Sequence, residues 1–360
     1  MNSLSSLMLG AFVLLLFSCS SEYSDLDNGL YAEFKTTKGD FIAELYQQDV
    51  PMTVANFVAL AEGIHPLTEK RYSGKPLYDS LIFHRVVKDF VIQAGDPRGT
   101  GRGGPGFKFP DETREDLTFD KKGILSMANS DLEETKIPYE NLGKTNGSQF
   151  FITLKPAPRL NGLYSIFGKV IHGLEVVDSI GAVKTNRADR PLDKIFINKV
   201  NIIRKGEEAQ NFDAIKAFEA GLVRHETKLK DEAKAREKLI NKISQGFEVA
   251  ESGLRYRLDK EVEGGKHPKK NDILKVHYEG YLTDGTKFDS SYDRQQPLQL
   301  ELGVGEVIPG WDEGLKLLKP GEKARFIIPP ELSYEDRSVG PIPPNSILIF
   351  DVELIEIIED

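Results

Sequence analysis

Alternating apolar and polar residues predict a β-rich fold in the first half of the chain. Residues 31–35 and 41–45 alternate on either side of a Lys-Gly-Asp turn, which predicts a hairpin. Helical spacing predicts two helices, at residues 53–63 and 173–180. Short apolar runs predict further strands at residues 81–87, 90–96, 123–129, 149–154, 166–171 and 199–205. Many short strands with few helices favour a β-barrel with capping helices.

Residues 206–245 break this pattern, because they interleave Lys, Arg, Glu and Asp. They predict a polar helix that Asn211 or Asp213 caps at its start and Gly246 ends. Its apolar stripe is thin, so a solvated spacer between domains is favoured over a coiled-coil dimer. Gly221 is a candidate break within this helix.

The last part of the chain returns to a strand pattern. Strands are predicted at residues 254–262, 273–282, 297–303, 323–330 and 347–357, and a short helix at 310–318. The Asp284-Gly285 pair predicts a turn between two of the strands. This part is predicted to be a second, smaller α+β unit.

Composition narrows the function. A chain of 360 residues favours two domains. The net charge of 47 − 56 = −9 argues against a sequence-independent grip on nucleic acid, which needs a basic field. The one cysteine excludes an intramolecular disulfide and a multi-cysteine zinc site.

Cys19 lies two positions after a short apolar run of ten residues, 8–17. Such a run is shorter than the roughly 20 residues of a membrane-spanning helix and is typical of a signal peptide. The cysteine at its end resembles a bacterial lipoprotein signal, although the preceding residues lack Lys and Arg; a plain secretory signal or a free thiol are the alternatives. We therefore predict a signal peptide at residues 1–18, a lipidated Cys19 and a tether at 19–29. This implies a lipoprotein of the bacterial cell envelope that faces the periplasm.

Other chemistries find little support in the sequence. The six histidines show no metal-binding spacing, so neither a metal nor a cofactor is predicted. Gly99, Gly101 and Gly104 formally match a dinucleotide-binding fingerprint. Prolines follow them in place of a helix N-terminus, so a flexible glycine-rich loop is favoured.

Five motifs in the first half resemble the cyclophilin family, in the family's order. They are FHRVVKDFVIQAGDP from Phe83, GTGRGGPGFKFPDE from Gly99, GILSMAN from Gly123, TNGSQFFIT from Thr145 and LNGLYSIFGKV from Leu160. The resemblance covers residues 30–205. It implies an eight-stranded closed β-barrel, capped by helices, that isomerises peptide bonds preceding proline.

The same resemblance implies roles for residues at matching motif positions. Arg85 is implied to be the catalytic arginine, while Gln93 and Asn129 are implied to hydrogen-bond the substrate backbone. The implied proline pocket and its flanks comprise Phe90, Val91, Phe151, Leu160, Tyr164, Ala128, Gln149 and Gly101. Arg159 stands where the family often has Trp, and Tyr164 stands where it often has His.

These residue types suit the chemistry. Resonance gives the peptide C–N bond a rotation barrier of about 18–20 kcal/mol. A guanidinium that hydrogen-bonds the prolyl nitrogen would weaken this resonance, and an apolar pocket would hold the ring while the carbonyl side rotates. No bond breaks, so neither a nucleophile nor a metal is required. The acidic segment 130–144 is predicted to be a surface loop beside the groove.

The end of the chain resembles the FK506-binding-protein family over residues 253–360. The motifs are VHYEGYLTDGTKFDSSYDR from Val276, GEVIPGWDEGLKLLKPGEKARFIIPPELSY from Gly305 and PIPPNSILIFDVELI from Pro341. The implied fold is a half-open antiparallel sheet around a short helix, and the implied activity is again isomerisation before proline. The implied pocket comprises Tyr278, Phe288, Asp289, Arg294, Val307, Ile308, Trp311 as its floor, Tyr334, Ile342 and Phe350, with Leu298 and Pro341 as departures.

Together, these features predict two unrelated prolyl isomerase domains, at residues 30–205 and 246–360, joined by a helical linker at 206–245. The implied partners are proline-containing unfolded or exported polypeptides, with cyclosporin-like and FK506-like macrocycles as further candidates. The alternative is a binding module, in which one or both pockets hold proline-containing segments with little turnover. The polar members of both pockets favour the enzyme.

Overall fold

A computed structural model of the protein describes residues 23–129, 145–335 and 337–358. The chain divides into two compact units between Glu219 and Ala220. The predicted signal peptide, Cys19 and the segment 130–144 lie outside the described residues. The predictions made for them are therefore not tested by the structure.

The first unit is a curled antiparallel sheet with helices. Its strands are β1 (Gly29–Thr36), β2 (Gly39–Leu45), β3 (Leu81–Ile82), β4 (Arg85–Val87), β5 (Val91–Ala94), β6 (Ile124–Met127), β7 (Phe150–Thr153), β8 (Ile166–His172) and β9 (Phe196–Lys205). They pair in the order β3-β9-β1-β2-β8-β6-β7-β5-β4. Helix α1 (Pro51–Glu62) follows β2, and helix α2 (Leu174–Gly181) follows β8.

The predicted strand at residues 81–87 is in fact two strands. β3 pairs with β9, whereas β4 pairs with β5. The Phe83 N–H donates to the Ile195 carbonyl and the His84 N–H to the Gln93 carbonyl, so the chain changes partner between these two residues. The described unit therefore has nine strands where the family resemblance implied eight. Because two residues join the two ends of the strand path, the sheet curls back on itself.

Helix α1 fills the centre of this sheet with an aromatic core. The Phe57 ring centroid lies 4.8 Å from Tyr78 and 5.2 Å from Phe167, and all three rings are fully buried. Burial of each such side chain contributes about 1.5–3 kcal/mol. This core holds the strands that carry the first site.

The polar segment after β9 is helical, as predicted. It holds α3 (Glu207–Gln210) and the 30-residue α4 (Ala214–Ile243). Asp213 caps α4, because its carboxylate accepts the Lys216 N–H at 3.1 Å and its carbonyl accepts the Ala217 N–H. The predicted break at Gly221 is wrong, since a glycine costs only about 1 kcal/mol within a long helix. None of the helices in the described ranges is long and apolar enough to cross a membrane.

The second unit contains the larger part of α4 and an antiparallel sheet with a short helix. Its strands are β10 (Glu248–Val249), β11 (Arg255–Lys260), β12 (Ile273–Tyr281), β13 (Lys287–Ser290), β14 (Leu298–Glu301), β15 (Lys323–Ile328) and β16 (Leu348–Ile358). The order is β10-β11-β15-β16-β12-β13, and β14 also pairs with β12. Helix α5 (Pro309–Gly314) continues into a 3₁₀ turn at Leu315–Leu317, so the predicted helix at 310–318 is present in two parts. The short strands β10 and β13 were not predicted.

Gly95 determines how closely the end of β5 approaches the segment before β7. Its φ is +88°, and a Cβ atom there would lie 2.2 Å from the Ser148 carbonyl oxygen. Gly74 offers a matched control. Its φ is +72°, but a Cβ atom there would have no heavy atom within 4 Å.

We expect Gly95→Ala to lower the free energy of unfolding of the first unit by about 1–3 kcal/mol more than Gly74→Ala. Both variants carry a similar backbone strain, but only the first adds a steric clash with a carbonyl oxygen. Urea unfolding followed by far-UV circular dichroism measures the loss. Fluorescence of the sole Trp, which lies in the second unit, separates the two transitions. Equal losses in the two variants would contradict this account of Gly95.

Candidate active sites

Three neighbouring strands of the first unit bring the central candidate residues into one row. Arg85 on β4 lies opposite Gln93 on β5, and Gln93 lies opposite Phe151 on β7. Directly opposed residues have Cβ atoms about 4.5–5.5 Å apart. The strand register therefore places a cation, an amide and an aromatic ring side by side, although 66 positions separate Arg85 from Phe151 along the chain.

A chain of hydrogen bonds links these polar side chains to the glycine-rich loop. The Arg85 guanidinium donates to Gln93 Oε1 at 3.2 Å, and the Gln93 amide donates to Gln149 Oε1 at 3.0 Å. The Gln149 amide in turn donates to the carbonyls of Gly101 at 3.1 Å and Gly103 at 2.8 Å. The orientation of the guanidinium therefore depends on the shape of the loop.

Asp96 holds that loop in shape. Its fully buried carboxylate accepts four backbone N–H groups and one hydroxyl at 2.6–3.0 Å, from Arg98, Thr100, Gly101 and Gly103. Burial by itself would raise the pKa of Asp96, but these hydrogen bonds outweigh it and hold the pKa below its ordinary value. Asp96 is thus an ionised carboxylate at neutral pH, and all five groups that donate to it in these hydrogen bonds are uncharged.

Asp189 approaches Arg85 from the other side. Its carboxylate lies 3.8 Å from Arg85 Nε, and its carbonyl accepts the Val86 N–H at 2.8 Å. The backbone bond fixes Asp189 beside β4, so its charge restrains the guanidinium. Arg190 stabilises the same region, because its guanidinium donates to the carbonyls of Gly99 and Thr100. Gln93 and Asp189 together leave Arg85 restrained but 41% exposed.

Apolar side chains form a pocket wall beside this row. Val91 and Phe151 belong to a buried cluster, and four half-buried predicted residues pack against it: Phe90, Ala128, Leu160 and Tyr164. The rings of Phe151 and Tyr164 meet edge to face with centroids 5.4 Å apart. The Asn129 amide donates to the Leu163 carbonyl at 3.0 Å. The structure thus brings the residues predicted for the first site together through these contacts.

The second unit contains a cavity of about 390 Å³ at the predicted place. Eight of the ten predicted residues line it: Tyr278, Phe288, Asp289, Val307, Ile308, Trp311, Tyr334 and Phe350. The Trp311 ring packs edge to face against Tyr278 at 4.9 Å and against Phe350 at 5.2 Å. Ile342 is instead buried in the core cluster that also contains Tyr278, Trp311 and Phe350.

Arg294, the other predicted residue outside the cavity lining, neutralises the polar edge of this cavity. Its guanidinium forms an ion pair with Asp289 and donates to the Tyr278 hydroxyl at 2.7 Å. The Tyr278 hydroxyl donates to Asp289 Oδ2 at 2.5 Å. Burial raises the pKa of Tyr278, so its hydroxyl remains protonated. The three groups therefore satisfy one another at this edge of the cavity.

Sequence reasoning missed several residues at both sites. The role of Asp96 could have been inferred from the sequence, because an Asp before a glycine-rich loop favours local turns. No sequence pattern connects Asp189 with Arg85, since the two residues are 104 positions apart along the chain. In the second unit, Glu306 and Arg337 also line the cavity. No group of three or more His, Cys, Asp or Glu residues within the described ranges is placed to hold a metal ion.

Comparison with known proteins identifies both units. Residues 31–202 match the family model for cyclophilin type peptidyl-prolyl cis-trans isomerase, and residues 264–355 match the model for FKBP-type peptidyl-prolyl cis-trans isomerase. Peptidyl-prolyl cis-trans isomerase-like 1 of Aspergillus oryzae is 43% identical over 178 residues, which are 49% of this chain and 96% of that protein. The probable peptidyl-prolyl cis-trans isomerase A of Mycobacterium leprae is 42% identical over 189 residues, 51% of this chain and 98% of that protein.

Solved structures are also similar to this chain. The cyclophilin type peptidyl-prolyl cis-trans isomerase of Cryptosporidium parvum is 37% identical, with a TM-score of 0.41. The match covers 49% of this chain and 98% of that protein.

The two sites and these matches define a peptidyl-prolyl cis-trans isomerase. The chain belongs to the cyclophilin family, and it carries a second isomerase domain of the FKBP type. The predicted enzymatic activity and the two-domain immunophilin organisation are therefore confirmed.

We expect Asp96→Asn to lower the free energy of unfolding of the first unit by about 1–3 kcal/mol at pH 6, because an amide N–H₂ would face backbone donors. The folded pKa of Asp96 lies below its unfolded value of about 3.9, so its contribution is complete above that pH. It is lost as the pH falls through the folded pKa. The difference between wild type and variant should therefore shrink from pH 6 to pH 3 in urea unfolding.

Asp193→Asn is the control for this experiment. Asp193 is also in the first unit, but it is exposed and makes no hydrogen bond or ion pair among the described residues. Its replacement should change stability by less than about 0.5 kcal/mol at either pH. A difference for Asp96→Asn that is the same at both pH values would contradict the role assigned to its charge.

Proposed function

We propose that Arg85 is the catalytic group of the first domain. Its guanidinium would donate a hydrogen bond to the prolyl nitrogen as that nitrogen becomes pyramidal, which weakens the C–N resonance. Gln93 would hold the substrate backbone, and Asn129 would do so on the opposite side of the pocket. The proline ring would rest against Val91, Phe151 and the residues packed on them.

The row of Arg85, Gln93 and Phe151 across three strands carries this proposal. A guanidinium restrained at fixed distance from an apolar pocket is already oriented before the substrate arrives. Such preorganisation avoids the reorganisation that water would have to undergo in the uncatalysed reaction. The enzyme does not need to form a covalent intermediate with the substrate, because the reaction breaks no bond.

We propose a different route for the second domain. Arg294 is already paired with Asp289, so the proposed route does not use this arginine at the prolyl nitrogen. The cavity would act by removing water from the twisted peptide bond, which is less polar than the planar one. Trp311 would form the floor, while the Ile308 backbone N–H and the Tyr334 hydroxyl would donate to substrate carbonyls.

We further propose the finer organisation that the motifs imply. The domains would occupy residues 30–205 and 246–360, as a closed barrel and a half-barrel around α5, with residues 206–245 as the linker. The clients would be exported polypeptides, whose X-Pro bonds isomerise in about tens to hundreds of seconds without a catalyst. Cyclosporin-like and FK506-like macrocycles are proposed as ligands of the two pockets.

Two substitutions in the full-length chain test the activity of each domain. Arg85→Ala should remove most of the first domain's isomerisation, since the group that stabilises the transition state is lost. Trp311→Leu should remove most of the second domain's, since the aromatic floor is lost. A peptide cis–trans assay measures each variant and the double variant, and circular dichroism checks that each remains folded.

We expect each single variant to retain the activity of the other domain, and the double variant to be near the uncatalysed rate. A folded Arg85→Ala variant with an unchanged rate on every peptide would contradict the assigned mechanism. If Trp311→Leu alone changes nothing, while the double variant equals Arg85→Ala, the second domain is a binding module. That outcome would favour the holdase alternative for that domain.

We propose a bacterial lipoprotein anchored through Cys19, because the cysteine falls where the apolar run ends. In a bacterial host supplied with radiolabelled palmitate, the wild-type chain should be labelled and pellet with membranes. Cys19→Ser should lose the label and leave the membrane fraction, whereas Ser21→Ala should behave as the wild type. An unlabelled wild-type chain, or a labelled Cys19→Ser variant, would contradict the anchor.

A further inference from the structure

Arg159 lies at the rim of the first pocket, directly over one of its walls. Its guanidinium carbon is 4.7 Å from the centroid of the Phe90 ring. The adjacent residue, Leu160, packs against the buried cluster that contains Val91 and Phe151. The arginine therefore stands where a residue next to a bound proline would pass.

The backbone holds this arginine in place. Arg159 is in a 3₁₀ turn at Pro158–Leu160 that begins with a proline. The Ala157 N–H before the turn donates to the Phe119 carbonyl at 2.8 Å, and the Leu160 N–H donates to the Ala157 carbonyl at 2.9 Å. The stacked guanidinium thus projects from a fixed base and is restrained at both ends.

No carboxylate neutralises Arg159 within the described part of the chain. Two other cations of this region are paired, since Lys155 lies 3.1 Å from Asp89 and Arg85 lies 3.8 Å from Asp189. Arg159 itself is exposed and makes no ion pair there. Stacking on an aromatic ring uses the face of the guanidinium and leaves its N–H edge available to a ligand.

We propose that Arg159 is a specificity-determining residue that selects substrates with an Asp or Glu side chain within two residues of the isomerised proline. The carboxylate would accept hydrogen bonds from the N–H edge of the stacked guanidinium. This inference rests on the proposed function, because it requires the proline to bind beside Phe90.

The expected preference is modest and depends on salt. Exposed ion pairs change an equilibrium by about twofold to fivefold. Both partners are near solvent, so the preference should decline as the ionic strength rises from 0.01 M to 1 M. A neutral pocket rim would show no such dependence.

The test uses the full-length chain and peptides that differ only in one residue flanking proline, which is Glu, Gln or Lys. The first domain's kcat/KM is the difference between the chain and its Arg85→Ala form. The ratio of the Glu to the Gln peptide is the readout, because it does not depend on the fraction of folded enzyme. At low salt, we expect kcat/KM of the wild type to be about twofold to fivefold higher for the Glu peptide than for the Gln peptide at one or more flanking positions. The value for the Lys peptide should be lower than that for the Gln peptide.

Arg159→Gln should bring this ratio close to one, whereas Arg159→Lys should retain part of it. Arg224→Gln makes the same charge change on an exposed residue of α4 and should keep the wild-type ratio. A wild-type ratio of one at every flanking position overturns the inference, as does a preference that survives in Arg159→Gln. If Arg85→Ala fails to lower the rate on any peptide, the proposed function itself is wrong.

Discussion

The buried carboxylate of Asp96 is the group on which the first active site depends. An ionised carboxylate removed from water is very costly unless donors surround it. Here the loop after β5 wraps around it, and a Cβ atom at Gly103 would lie 1.8 Å from Asp96 Oδ1. The same loop presents the carbonyls that orient Gln149, which holds Gln93 and through it Arg85. The hydrogen-bonded carboxylate of Asp96 thereby helps to orient the Arg85 guanidinium.

The two units hold their site arginines with different partners. In the first, Asp189 restrains Arg85 at 3.8 Å but leaves the guanidinium partly exposed. In the second, Arg294 forms an ion pair with Asp289, donates to the Tyr278 hydroxyl and is likewise partly exposed. Both arrangements are compatible with one reaction, because rotation about a C–N bond requires neither proton transfer nor a covalent intermediate. A catalyst for it needs only to weaken resonance or to remove water.

Much of the fold could be predicted because its signals are local. The alternation around residues 31–45 and the cap at Asp213 depend on neighbours in the sequence, and the structure contains both. The break between β3 and β4 could not be predicted, because it arises when the chain exchanges one strand partner for another. Gly221 shows the reverse case: a local signal predicted a break, but a long helix absorbs the cost of one glycine.

The sequence by itself determined the two domain types, the order of their motifs and most of the residues around both pockets, because ordered motifs specify residue types at defined spacings. Only the tertiary structure decided how those residues are held. Asp189 reaches Arg85 across 104 positions, and Arg159 stacks on Phe90 across 69. Such contacts depend on strand register and turn geometry. These are set by the packing of the whole sheet, and no local pattern along the chain encodes them.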